Sequence, residues 1–158
     1  MVMKEEIGRT LEPLIGEPLS DMFRFAGIQA FEFGVPRPCK NHKGQDITLA
    51  DQGLHISCHW CISGPEGTIV SSEDFGPDGR RHDEQAHPFY DTLKSNPPVV
   101  EVVVVDEAGA LRLCLSGGYS LTVLPQELSN DSDEEQWRFL PKDEEQRHLV
   151  LTQQGIES

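Results

Sequence analysis

The clearest pattern of hydrophobic and polar positions lies between residues 99 and 124. The segment VVEVVVVD is rich in β-branched side chains, and the apolar residues of ALRLCLS and YSLTVL then alternate with other side chains. A period of two is typical of strands that bury one face. Gly117 and Gly118 separate the last two segments, and glycines accept the positive φ angles of a tight hairpin turn. The pattern therefore predicts an antiparallel meander of three strands.

Shorter segments with similar alternation predict further strands on both sides of this meander. They read IQAFEFGV, LHISCHWCI with a hairpin partner at residues 68–72, QWRFL and HLVLT. A short helical turn is expected at residues 19–26. A helix is expected at residues 89–95, with Phe89 and Leu93 facing the core.

Two remaining regions complete the prediction of the fold. Residues 35–50 are polar and contain two prolines, which predicts a loop, and the tail from about residue 155 is expected to be loose. The fold class is therefore α+β, with a mainly antiparallel β-sheet or a partly open barrel and one or two short helices. Because no linker or repeat interrupts the chain, residues 1–158 are expected to form a single globular domain.

Composition agrees with a soluble globular protein. Of the 158 residues, 37% are hydrophobic and 25% are charged, which suffices for a buried core at this length. The apolar runs are too short for a transmembrane helix, and the first ten residues lack the apolar segment of a secretory signal. A cytoplasmic protein with four reduced cysteines is therefore expected.

The strong negative charge limits the classes of partner. A net charge of −14 repels nucleic acid phosphates and anionic lipid surfaces, so neither nucleic acid nor a membrane is expected to bind. A basic protein partner fits better. Residues 127–147 are either a solvated loop or a docking face for such a partner; their acidic members are Glu127, Asp131, Asp133, Glu134, Glu135, Asp143, Glu144 and Glu145. The oligomeric state does not follow from these patterns.

Two segments have the ligand spacing of a zinc ribbon. Cys39 and His42 form one CxxC-like pair, and Cys58 and Cys61 form the second. Zinc binding would require these four side chains to meet in a tetrahedron with metal–ligand distances of about 2.0–2.3 Å. A zinc-stabilised module that uses these four residues is one interpretation of the sequence.

Strand geometry favours a different interpretation of LHISCHWCI. In one regular strand successive side chains point to opposite faces, so Cys58 and Cys61 cannot bind the same ion. Cys58 and Trp60 are then predicted to be buried, with His55 and His59 on the opposite face. On this interpretation no cofactor is expected, and zinc remains the alternative.

Recognisable catalytic motifs are missing from the sequence. The segment HDEQAH at residues 82–87 differs from the metalloprotease motif HExxH because its histidines are five positions apart instead of four. A solvated loop is the expected structure there. The candidates for acid–base chemistry or ligand binding are His55, Asp74 and His82, and a small-ligand binder or enzyme that uses them is a second interpretation.

Several of these motifs together resemble a family of small uncharacterised bacterial proteins that is frequent in actinomycetes. The family has an LHxxCxW strand, a VVExVxxDxxGxLxLxLSGG meander, a WRFF-like strand and a closing HxVVTxxGI segment. Their counterparts here lie at residues 54–60, 99–118, 137–140 and 148–156, and an LIGxPL segment matches at residues 14–19. The family pattern has arginine where this chain has Cys61, which argues against a four-ligand zinc site. The resemblance implies no activity.

The small, acidic, strand-rich chain without a catalytic motif favours a non-enzymatic protein-binding module. An immunity protein, which neutralises a toxin by covering its active site, is one protein of this kind.

Overall fold

The computed structural model describes residues 3–74, 80–142 and 146–157, with side chains described from residue 84 onward in the second range. Its helices and strands follow one another in the order α1 (Met3–Leu11), β1 (Leu19–Phe25), β2 (Ile28–Phe33), β3 (Arg37–Lys40), β4 (Asp46–Leu49), β5 (Gln52–Ile56), β6 (His59–Gly64), β7 (Gly67–Ser71), α2 (Arg80–Ser95), β8 (Val100–Val105), β9 (Leu111–Leu115), β10 (Ser120–Leu124), β11 (Glu135–Leu140), β12 (Leu149–Thr152) and β13 (Gly155–Ile156).

The strands form two large sheets and one small hairpin. The larger sheet has the order β1-β2-β5-β11-β12-β13, and the five-stranded sheet has the order β7-β6-β10-β9-β8. The strands β3 and β4 pair only with each other. Because every pairing between named strands is antiparallel, the predicted α+β class with mainly antiparallel sheet is confirmed, as two open sheets.

The two large sheets share one hydrophobic core between their inner faces. Phe31 of the larger sheet meets Trp60 of the five-stranded sheet edge to face, with ring centroids 5.3 Å apart. Leu54 and Phe139 lie beside Phe31 on the same inner face, and all four side chains are buried. Burial of such side chains contributes about 1.5–3 kcal/mol each, so this layer is a main source of stability.

The two α-helices pack against edge strands of the large sheets. In α1, Ile7 and Leu11 are four residues apart and therefore share one buried face, which packs against β8. In α2, Ala86, Phe89 and Leu93 form a similar buried stripe, and this helix contacts β1 and β7. The inward positions predicted for Phe89 and Leu93 are thus confirmed.

The turn between β8 and β9 connects the two sheets at one end. The carbonyl oxygen of Gly109 in this turn accepts a hydrogen bond from the indole N–H of Trp137, at 3.1 Å. A Cβ atom on Gly109 would lie only 2.5 Å from Leu151 Cδ2. The turn therefore packs directly on β11 and β12.

Several predicted elements are confirmed, and others differ. The meander is present as β8, β9 and β10, and the hairpin partner of LHISCHWCI is β7. Residues 19–26 form strand β1 instead of a helical turn, and residues 35–50 contain the β3–β4 hairpin instead of a continuous loop. Residues 82–87, expected to be a solvated loop, belong to α2. In the tail that was expected to be loose, β13 pairs with β12.

The segment LHISCHWCI is two strands instead of the predicted single strand. It leaves the larger sheet after Ile56 and enters the five-stranded sheet at His59. Because the chain crosses between the sheets at residues 57–58, Ile56 and Trp60 both face the shared core, from opposite sides. Trp60 is buried as predicted, whereas Cys58 is only half-buried.

Candidate functional site

The two candidate pairs of zinc ligands lie on or beside separate strands of the fold. Cys39 is exposed on β3, His42 is exposed in the turn that follows, and Cys61 is on β6 of the five-stranded sheet. Cys58 lies at the crossing between the sheets, where burial raises the pKa of its thiol to about 12. Zinc binds the thiolate form, so this environment opposes metal binding at Cys58.

Metal-ligating side chains do not gather elsewhere in the described parts of the chain either. Within residues 3–74, 84–142 and 146–157, no three His, Cys, Asp or Glu side chains are placed together to hold a metal ion. Cys61 instead lies 3.5 Å from Ser63 Oγ and 3.8 Å from Thr68 Oγ1. The structure therefore does not bring the predicted zinc ligands together.

The candidate acid–base residues belong to different sheets. His55 is on β5 of the larger sheet and packs edge to face on Phe25, with ring centroids 5.2 Å apart. Asp74 follows β7 of the other sheet, where its Oδ2 atom accepts a hydrogen bond from the backbone N–H of Ser71 at 2.8 Å. The side chain of His82 lies outside the described residues. His55 therefore packs on a side chain of the larger sheet, whereas Asp74 bonds to the backbone at the end of β7.

His55 lies beside a charged cluster on the outer face of the larger sheet. Its pKa is lowered by burial and further by the positive charge of Arg138 and by His148. Arg138 makes two hydrogen bonds to the carboxylate of Glu135, at 2.7 and 3.2 Å, and lies 3.1 Å from His148 Nδ1. Arg138 is thus already paired, and its contact with His148 links β11 to the residue before β12.

A cleft opens where the chain crosses between the sheets. It has a volume of about 420 Å³, and its lining includes Cys58, His59 and Ser72. Ser72 Oγ lies 2.6 Å from His59 Nδ1 and accepts the backbone N–H of Trp60 at 3.1 Å. These bonds tie the start of β6 to the segment after β7. The side of the cleft formed by His59 and Ser72 is therefore held in place by hydrogen bonds.

One rim of this cleft belongs to the acidic loop, which we define as residues 125–134. The loop has no regular secondary structure, yet hydrogen bonds hold it in place. The backbone N–H of Ser129 donates to the carbonyl oxygen of Gln153 at 2.7 Å, and the N–H of Gln153 donates to that of Glu134 at 3.0 Å. The N–H of Gln126 donates to Gln136 Oε1 at 2.8 Å. The loop therefore presents its side chains from a defined backbone.

The acidic loop combines negative charge with exposed apolar side chains. Leu128 within the loop is 53% exposed, and Leu124 just before it is 46% exposed. The acidic side chains of the loop are also exposed; they are Glu127, Asp131, Asp133 and Glu134. The remaining predicted acids at residues 143–145 lie outside the described residues. Exposed apolar side chains and charged side chains in one ordered segment provide the two components of a protein-binding surface.

A second candidate site surrounds Glu32 on the outer face of the larger sheet. Glu32 is only 9% exposed, and burial together with nearby Asp21 raises the pKa of its carboxyl group to about 7. A Cβ atom on Gly53 would lie 3.3 Å from Glu32 Oε2, so the carboxyl group occupies the space over this glycine. Glu32 lines two cavities, of about 170 and 210 Å³.

Glu32 was not among the predicted site residues, although its position in an alternating apolar segment was a signal for it. In IQAFEFGV the glutamate shares one face of the strand with Ile28 and Ala30. Burial of a charged residue among apolar ones costs free energy unless the charge is paired and hydrogen-bonded, so such a position marks a candidate site. The β3–β4 hairpin and α2, which cover this face, could not be placed from the sequence.

A further cleft, with a volume of about 760 Å³, lies beside α1. Arg9, Lys142 and Arg147 contribute its positive charge. Lys142 Nζ is 3.7 Å from Asp51 Oδ2, and Arg9 also interacts with a neighbour. These two cations are therefore already engaged by other groups of the protein.

Comparison of the chain with protein-family models, curated proteins and solved structures gave no match. The resemblance of its motifs to the actinomycete-type family remains a prediction. Among the described residues, no helix is long and apolar enough to cross a membrane.

Proposed function

We propose that this protein is a non-enzymatic binding module that docks a basic protein through the acidic loop. The observation that carries the proposal is the fixed backbone of this loop, which presents exposed Leu128 and four exposed acidic side chains and directly follows exposed Leu124. A surface that is ordered before binding loses less conformational entropy when its partner binds. The net charge of −14 adds a long-range attraction that speeds association with a basic partner.

An immunity protein is the form of binding module that these features support best. A toxin that acts on nucleic acid needs a basic active site, and an acidic protein that covers this site competes with the substrate for the same charges. The acidic loop beside the 420 Å³ cleft offers a rim and a recess for such a surface.

The test compares two variants that have the same net charge. In the loop variant, Glu127 and Glu134 become Gln, and Asp131 and Asp133 become Asn. The control variant carries four Glu→Gln changes at exposed positions elsewhere, which are Glu5, Glu12, Glu101 and Glu107. A basic protein retained by the immobilised native chain is identified, purified and titrated against all three proteins by calorimetry.

We expect the loop variant to bind at least tenfold more weakly, because each lost charge pair at a docking surface costs up to about 1 kcal/mol. The control variant should bind within a few-fold of the native chain. Equal losses in both variants would show that only the total charge matters. Retention of no basic protein would remove the proposal.

A single substitution tests the apolar centre of the same surface. Leu128→Ser leaves the charge unchanged but removes the most exposed leucine of the described chain. We expect weaker binding through faster dissociation, because central apolar contacts mainly determine the dissociation rate. Val35→Ser, at another exposed apolar position, is the control and should leave binding unchanged.

A further inference from the structure

We infer that the cavities over Glu32 form a binding site for a guanidinium group, separate from the acidic loop. The inference is independent of the proposed protein-binding function. It is based on the position of one carboxyl group, on the pairing of its neighbours and on the apolar walls around it.

The carboxyl group of Glu32 is nearly buried, and no counter-ion for it lies among residues 3–74, 84–142 and 146–157. Glu32 is 9% exposed, and no hydrogen-bond or ion-pair partner of its carboxylate lies among the described residues. It lines both the 170 Å³ cavity and the 210 Å³ cavity, as does Ala50. Buried acids are normally paired, so an unpaired one that faces two cavities is suited to accept an external cation.

The other acidic groups nearby are already engaged. Asp51 lies 2.7 Å from Arg37 and 3.7 Å from Lys142, so two cations of the protein neutralise it. Asp21 Oδ1 accepts the backbone N–H of Met22 at 2.8 Å. Of these three carboxyl groups, only that of Glu32 has neither a cation nor a hydrogen-bond donor as a partner among the described residues.

The walls of the cavities favour guanidinium over a compact ammonium ion. Leu93 and Pro36 line the smaller cavity, while Leu49, Leu140 and Pro141 line the larger one. A guanidinium group is planar and weakly hydrated, so it tolerates apolar walls. Its N–H groups also match the two oxygens of one carboxylate. An ammonium ion holds its water more strongly and loses more on entering such a site.

Binding of the cation requires ionised Glu32 and is therefore linked to pH. The other titratable groups that face the cavities are Asp21 from β1, Asp51 before β5, Tyr90 and Lys94 from α2, and His148 before β12. Of these groups, His148 is the one histidine, and it lines the larger cavity together with Glu32. A His148→Gln variant separates its contribution from that of Glu32.

The experiment titrates methylguanidinium into the whole chain and follows the side-chain carboxyl signal of Glu32 by NMR. The expected result is saturable binding that is about tenfold tighter at pH 8 than at pH 6, because the pKa of Glu32 lies between these values. The His148→Gln variant should keep most of this difference. Glu32→Gln should abolish binding, and Glu101→Gln, on the other sheet, should leave it unchanged.

A measurement on the native protein makes the test independent of folding of the variant. Saturating methylguanidinium should lower the titration midpoint of the Glu32 carboxyl group, since a bound cation stabilises the carboxylate. An unchanged midpoint, or binding that survives in Glu32→Gln, would overturn the inference. Equal affinity for methylammonium would overturn the assignment to guanidinium.

A blocked peptide with one central arginine distinguishes the source of the group. If the peptide binds through Glu32 more tightly than methylguanidinium, the natural ligand is an arginine side chain of a protein. If methylguanidinium binds and the peptide does not, the ligand is a small molecule. Failure of both overturns the inference. The loop variant should bind methylguanidinium like the native chain. If the acidic loop proves not to bind a protein, the binding of methylguanidinium at Glu32 is therefore unaffected.

Discussion

The buried carboxylate of Glu32 destabilises the folded state, and the same group is the proposed ligand for a cation. An unpaired carboxylate that leaves water loses hydration that the protein does not replace, and its pKa therefore rises from 4.5 to about 7. In the unfolded chain the same group ionises at its ordinary pKa. The unfolded state therefore releases its proton first as the pH rises, and ionisation favours unfolding between about pH 4.5 and pH 7.

Glu32→Gln is expected to stabilise the protein at alkaline pH. The raised pKa of Glu32 corresponds to a cost of about 3 kcal/mol above pH 7 that the amide does not have. This gain should shrink as the pH falls and vanish below about pH 4.5, where both states of the native chain are protonated. Urea unfolding of the native protein and the variant across this range measures the difference. Parallel curves would contradict it, and Glu101→Gln is the exposed control.

The cysteines should differ strongly in their reactivity. Burial raises the pKa of Cys58 to about 12, so almost no reactive thiolate is present at pH 8, whereas Cys39 is exposed on β3. Iodoacetamide should therefore modify Cys39 rapidly and Cys58 slowly in the folded protein. Peptide mass spectrometry over time measures both rates. In urea the two rates should become similar, and equal rates in the folded protein would contradict the prediction.

At the scale of elements, the β8–β9 turn is the most sensitive connection between the sheets. Gly109 has a φ angle of +86° and leaves no room for a methyl group, because Leu151 occupies that space. Its carbonyl oxygen also satisfies the buried indole N–H of Trp137. A change at this turn therefore affects strands of the opposite sheet.

Gly109→Ala should destabilise the protein more than the same change at Gly44. Gly44, in the β3–β4 turn, has a similar φ of +76° but open space around the position of Cβ. Both variants pay the backbone cost of about 1 kcal/mol, and Gly109→Ala adds overpacking against Leu151 of about 1–3 kcal/mol. Denaturant unfolding measures both. Equal losses would mean that the turn does not pack as described.

The elements also show which structural features the sequence encodes locally. The meander could be predicted because its glycine turns and alternating leucines lie close together in the chain. The strand β1 could not, since a bulge between Leu19 and Asp21 places buried Leu19 and Met22 three residues apart, as in a helix. LHISCHWCI keeps its alternation through the crossing at residues 57–58, so the sequence does not reveal the change of sheet.

The candidate sites were less predictable because they depend on contacts between residues that are distant in the sequence. The acidic loop is visible as a charge run, but its fixed backbone depends on bonds to Gln153 and Gln136. The cavities at Glu32 need walls from β3–β4, α2 and residues near His148, which are distant in the sequence. Spacing rules for ligands assume a local geometry, and the zinc pattern failed because Cys39 and Cys58 lie on separate elements.

At the scale of the whole molecule, charge repulsion works against the compact state. A net charge of −14 is brought closer together by folding, and added salt screens this repulsion. The thermal midpoint should therefore rise between about 10 mM and about 200 mM NaCl, over which the screening length falls several-fold. Circular dichroism measures the midpoint, and KCl should act like NaCl if screening is the cause. A falling midpoint would contradict the prediction.

The crossing at residues 57–58 also has a consequence for assembly of the chain during synthesis. Ile56 pairs with Trp137, and the whole five-stranded sheet lies between them in the sequence. The ribosome therefore completes β6–β10 while β5 still lacks its neighbour β11. During this interval β5 is an unpaired edge, the kind of surface on which nascent chains aggregate. Only β11, which follows the five-stranded sheet in the sequence, covers this edge.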